Sequence, residues 1–160
     1  MERGSTLFLK VTIFLLGIPV LAMCIFVIPE IANYLAELYP DHTYLKYFVC
    51  IDLYATVIPF YIALYQAFKL LDYIDKNQAF SDVAVTALKN IKTCALIISA
   101  LFVLGMPLFY LLAERDDSPG VIVIGMAFIF ASLVIAVFAA VLQKLLRNAI
   151  DIKSENDLTV

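Results

Sequence analysis

The sequence predicts an all-α integral membrane protein. Its expected form is a four-helix bundle with both termini cytoplasmic and the third helix extended into the cytoplasm. Three observations predict it. Of the 160 residues, 64% are apolar and only 16% are charged, against about 45–50% and about 25% in an ordinary soluble domain. The apolar residues stand in four long runs, and the mean hydropathy is +0.96. The basic residues gather at alternate ends of those runs.

The first run, Leu7–Ile28, holds one charge, Lys10. It is longer than the apolar core of a secretory signal and carries no A-x-A-like site, so it reads as an uncleaved span. The tetrapeptide LAMC (21–24) is a poor lipoprotein site, with Met23 where a small residue belongs. The second run, Tyr44–Leu71, holds Lys46, Asp52 and Lys69, whereas Thr93–Ala113 and Val121–Gln143 hold no charge. Each is at least as long as the roughly 20 helical residues that cross a bilayer core of about 30 Å. Continuous apolarity excludes the alternation of a barrel, so the spans are helices. The expected helices cover about 7–36, 44–71, 82–113 and 120–147 of a single domain, 1–160, with a flexible tail from about 153 to 160.

Orientation follows the positive-inside rule. Arg3 and Lys10, then Lys69, Lys76, Lys89 and Lys92, then Lys144, Arg147 and Lys153 fall on one side of four alternating spans. The other connections hold only Lys46 and Arg115, with Glu30, Glu37, Asp41, Glu114, Asp116 and Asp117. The N-terminus, the central segment and the C-terminus are therefore expected in the cytoplasm.

Between the first two spans, EIANYLAELYPDHTYLKY (30–47) continues the first helix along the outer surface to Pro40. Its four tyrosines, Tyr34, Tyr39, Tyr44 and Tyr47, have apolar rings and wet hydroxyls suited to the headgroup level. Metal binding is not expected of His42, a lone histidine without clustered partners. Cys24, Cys50 and Cys94 lie in or at the edges of spans with no C-x-x-C among them. They read as small packing residues. No phosphate-binding glycine loop, zinc motif or serine–base pair occurs, so no enzyme, cofactor or direct nucleic-acid contact is expected.

Two constellations remain. In the second span, Asp52, Thr56, Pro59 and Gln66 follow steps that place them on one helical face. An ionisable group at that depth must face the bundle, water or a partner, and is a candidate site for ions or substrate. Proline removes a backbone donor there and is expected to kink the helix. In the fourth span, Ser132, Ala136 and Ala140, with Ala127 and Ala131, form a small-residue packing face. It serves either another helix of the chain or a second copy, as a homo-oligomer.

The central segment, DYIDKNQAFSDVAVTALKNIK (72–92), is a polar connector followed by a new helix. Ser81 stands at the cap, accepting from backbone N–H groups, with Asp82 favourable against the helix dipole. Phe80 and Val85 are spaced as a hydrophobic staple. Val85, Leu88 and Ile91 share the apolar face; Lys89 and Lys92 do not. Asp75, Lys76, Asn77, Phe80, Ser81, Lys89 and Lys92 are the candidate docking residues.

This stretch, with its IDKN connector and Phe-Ser helix start, resembles an uncharacterised DUF-type family of small bacterial four-helix membrane proteins. The motif falls on Ile74, Asp75, Lys76, Asn77, Phe80, Ser81, Leu88 and Ile91. The resemblance implies the bacterial inner membrane. It implies as partner a Cro/C1-type helix-turn-helix regulator, beside which members are often encoded. The function expected first is a membrane-embedded partner or sensor for a cytoplasmic regulator. The alternatives are a small transporter or channel-like subunit using Asp52, and a structural or lipid-interacting protein.

Overall fold

The computed structural model describes residues 3–117 and 119–159. Among these the regular structure is helical throughout: α1 (Arg3–Ala22), a π turn (Met23–Val27), α2 (Ile28–Leu38), α3 (Tyr44–Asp75), α4 (Asp82–Asp116) and α5 (Gly120–Thr159). The first three run on without a break. Four helices are thus long and apolar enough to cross a membrane: Gly4–Leu38, Tyr44–Asp75, Asp82–Arg115 and Gly120–Leu158.

The helices outrun the bilayer. At 1.5 Å per residue, α4 is about 52 Å long and α5 about 60 Å, against a core of about 30 Å. The flexible tail expected from about 153 is instead helical through Thr159. No glycine or proline follows Gly125 in the chain, so nothing in the sequence stops the helix. α3 runs unbroken past Pro59.

Close backbone approach runs in chain order, from the first span to α3, from α3 to α4 and from α4 to α5. The last of these is the most extensive, and small residues permit it. Ser132, Ala136 and Ala139 on α5 are buried, as are Ala84, Ala87, Ala95 and Ser99 on α4. A Cβ on Gly125 would stand 2.8 Å from Met106 Sδ and 3.3 Å from Phe109 of α4. Phe102 and Phe128 stack across the same seam, ring centroids 5.3 Å apart. The small-residue face of α5 therefore meets α4 of its own chain. Ala127 and Ala131 do not belong to it: both are exposed, Ala131 about 100° round the helix from Ser132.

The first span is held differently. Many of its large apolar side chains are exposed, among them Phe8, Phe14 and Ile18, and it is tied to α3 by hydroxyls. Pro29 has no N–H, and the Ile28 N–H bonds Met23 O in the π turn, which leaves the Cys24 carbonyl without a helical donor. The Tyr54 hydroxyl supplies one, donating to Cys24 O at 2.9 Å. Two turns on, Tyr61 donates to Gly17 O at 2.7 Å, where a Gly17 Cβ would be 3.6 Å from the tyrosine ring. Tyr54→Phe is expected to cost about 1 kcal/mol, read as a lower thermal midpoint in detergent. An unchanged midpoint would mean another donor serves that carbonyl.

At the acidic end, Leu35, Leu45 and Val49 form a core with Ile31, Tyr39, Leu53, Leu108 and Leu112. Tyr39 donates to Leu111 O at 3.0 Å and carries the Arg115 guanidinium 5.2 Å above its ring. Tyr34, Tyr44 and Tyr47 are exposed. His42 packs edge-on against Tyr44 at 5.5 Å.

Candidate functional site

Asp52 sits eight residues into α3, about 12 Å along the axis from Tyr44. Its carboxylate lies in the α3–α4 seam against Gly105: a Cβ built there would be 3.1 Å from Asp52 Cγ and nearer still to Oδ2. Glycine leaves the carboxylate its place at this close approach, and any larger residue requires Asp52 to turn away. The carboxylate makes no ion pair among the described residues. Lys46 lies over Tyr47 and Arg115 over Tyr39, so neither neutralises it.

The rest of that face does not converge on Asp52. The Thr56 hydroxyl turns back to its own helix, donating to Asp52 O at 2.9 Å. Pro59 is buried. Gln66 is half-buried, about 21 Å further along the axis. An open apolar groove of about 620 Å³ lies between α4 and α5, lined by Val103, Met106, Pro107, Tyr110, Leu111 and Ile122 and not by Asp52.

The central motif does converge, at the end of the bundle that carries both termini. Asn77 stands at φ 60°, a left-handed position that asparagine tolerates well. Its N–H donates to Ile74 O at 3.2 Å and that of Gln78 to Tyr73 O at 2.7 Å. This pair of bonds is the Schellman stop, with Asn77 in the place usually taken by glycine. Just inside it, Asp75 accepts from Lys10 Nζ at 3.1 Å and from the Thr6 hydroxyl. Asp72 receives Lys10 at 3.6 Å and Lys76 at 3.1 Å. The Phe68 ring lies 5.2 Å from Lys10 Nζ. Asp75 and Lys76 thus belong to an ionic knot that fixes the start of the first span to the end of α3.

Beyond the turn, Ser81 takes the cap position, φ −142° and ψ 160°, without a side-chain cap bond. Its hydroxyl donates to Gln78 O instead of accepting, which braces the connector rather than the helix. Val85 and Leu88 are buried. Phe80, the other half of the expected staple, is 55% exposed and lines a groove against the end of α5. Asp82 receives Arg147 of α5 at 3.0 Å. Lys89 is exposed and Lys92 half-buried.

Sequence reasoning missed Thr6, Lys10, Asp72, Tyr54, Tyr61 and Gly105. Lys10 carried a usable signal, since a lone cation in an apolar run needs an acidic partner at the same depth. The tyrosine bonds carried none, because they depend on which carbonyls a π turn releases.

Comparison with known proteins follows this architecture. Residues 30–160, from α2 to the chain end, match the model of a family described as a protein of unknown function, DUF2975. The chain belongs to the DUF2975 family. The match covers the turn with Asn77, the α3–α4 seam and all of α5, and leaves α1 outside it. A full-length relative of this DUF2975 protein is the uncharacterized membrane protein YoaS of Bacillus subtilis (strain 168). It is 68% identical over 160 residues, the whole of both chains. No solved structure matches the DUF2975 chain.

Proposed function

We propose that this multi-pass membrane protein is a membrane-embedded partner or sensor for a cytoplasmic regulator. In this reading it lies in the bacterial inner membrane with both termini and the Asn77 turn in the cytoplasm. The orientation rests on the basic residues that cluster at that end. The observation that carries the reading is the helical projection built there. α4 begins at Asp82 and α5 ends at Thr159, both well outside the apolar runs, with Arg147 and Asp82 paired on their exposed surface. Two helices that continue side by side beyond the bilayer offer a surface that spanning alone does not require. The projection presents Lys89 and Phe80 to the cytoplasm.

The intramembrane carboxylate favours a second reading, a small transporter or channel-like subunit. Asp52 has a tailored space at Gly105, but no second polar group of its helix face reaches it.

Purification from native membranes in mild detergent, followed by mass spectrometry, tests the first reading. Wild-type protein is expected to bring down a soluble helix-turn-helix regulator, and Lys89→Glu with Lys92→Glu to lose it. A C-terminal topology reporter must read the same in both, because these charges also help set orientation. Recovery with no such regulator overturns the reading, whereas equal amounts from both chains overturn Lys89 and Lys92 as its contact.

A further inference from the structure

α5 carries a second pattern whose large apolar members packing within the chain leaves exposed. Phe138, Leu142, Leu145, Ala149, Ile152 and Asn156 follow one another at alternating steps of four and three residues. That is the 3.5-residue seam of a left-handed coiled coil. It lies on a different face from Ser132, Ala136 and Ala139, which are buried against α4. Phe138, Leu142, Leu145 and Ile152 are 65, 51, 58 and 60% exposed.

Within the bilayer lipid covers such a face at no cost. Past it, water does not. About 20 residues from Val121 exhaust the bilayer core near position 141, so Ile152 stands about 16 Å beyond it. Beside it a groove of about 350 Å³ is lined by Phe80, Ala149, Ile152, Lys153 and Asn156. An apolar seam that runs unbroken from lipid into water cannot be matched by lipid alone.

We propose that this seam pairs with the same seam of a second copy of the chain, making a symmetric dimer. Copies inserted with the same topology are related by a two-fold axis along the membrane normal, which brings α5 against α5 in parallel. Parallel pairing is where one asparagine at a core position sets register and oligomer state. Asn156 occupies that position: it is in phase with Leu142 and Ala149, while Phe138, Leu145 and Ile152 fill the alternate layer. Ala149, small and placed just outside the bilayer, lets the two backbones close. The dimer leaves Lys89 and the Asn77 turn outside the seam and borders Phe80 in the groove beside Ile152, and it does not rest on regulator binding.

Cross-linking of the full chain in native membranes tests the dimer. In a background with Cys24, Cys50 and Cys94 changed to alanine, single substitutions Leu145→Cys, Ala149→Cys, Ile152→Cys and Asn156→Cys are oxidised. Arg147→Cys, Asp151→Cys and Ser154→Cys are oxidised in parallel. The seam set is expected to give a covalent dimer at least several-fold more abundantly than the second set. On the native chain, Ile152→Glu is expected to turn a dimer into a monomer by light scattering in mild detergent. That readout stands even if the cysteine-free background fails to fold. Cross-linking that is absent or equal in the two sets, or a native chain that is already monomeric, overturns the proposal.

Discussion

Gly105→Ala is expected to change sign with the residue opposite it. In the native chain the new Cβ meets the Asp52 carboxylate, and overpacking a fitted helix seam costs about 1–3 kcal/mol. With Asp52→Ala already in place the space is vacant, and alanine in mid-helix should then stabilise by about 1 kcal/mol over glycine. The four chains form a double-mutant cycle whose coupling measures the contact itself. Thermal or denaturant unfolding in detergent reads it. If Gly105→Ala stabilises both backgrounds equally, the carboxylate does not occupy the seam, and it swings out toward lipid headgroups or water. The cycle thus also decides whether Asp52 is available inside the bundle for any ion.

Asp75→Ala is expected to have the next largest effect, a loss of about 2 kcal/mol. The carboxylate holds both Lys10 and Thr6, and hydrogen bonds involving a charged group contribute about 1.5–3 kcal/mol each. Partial exposure of Lys10 and Asp75, 19% and 21%, places the result toward the low end. Asp75→Asn should cost roughly half as much, because the amide can still accept from Thr6. Labelling of a Thr6→Cys chain by a water-soluble reagent should rise in both variants as the helix start comes loose. An Asp75→Ala chain with native stability and native labelling would show that Lys10 with Asp72, the two tyrosine bonds and the Leu35 core suffice to hold the first span.

The four spans were legible because hydropathy over some 20 residues is a strong, local signal. Helix ends written in polar residues were legible too. The new start at Ser81–Asp82 and the buried Val85 and Leu88 were all read from the sequence. The purpose of the central polar segment was less visible. Lys76, read as a docking residue, pairs with Asp72 one turn back on α3, but Asp75 meets Lys10 of the first span, 65 residues away. Local pattern carries no information about which of many charges will meet. Asn77 could have been read as a helix stop, since a polar residue tolerant of positive φ follows the last apolar turn. On α5 the small residues were too numerous to choose among. Geometry kept Ser132 and Ala136, buried Ala139 rather than the half-buried Ala140, and left Ala127 and Ala131 outside.

The π turn at Met23–Val27 acts as a phase-shifter. On the near side of it, Thr6, Lys10, Ile13, Gly17 and Val20 are sheltered at steps of four and three, with Thr12 beside Ile13, and Cys24 in the turn itself continues the series. Beyond it Ile28, Ala32 and Leu35 are buried with the same kind of spacing, but one residue late. The wide turn absorbs that surplus residue, so both halves of the span keep their inner faces on α3 without a break in the rod. Residues 23–27 therefore store a count rather than a chemistry. Their side chains can vary widely, whereas a residue gained or lost elsewhere in the first span would turn the Lys10 half and the Leu35 half about 100° out of step.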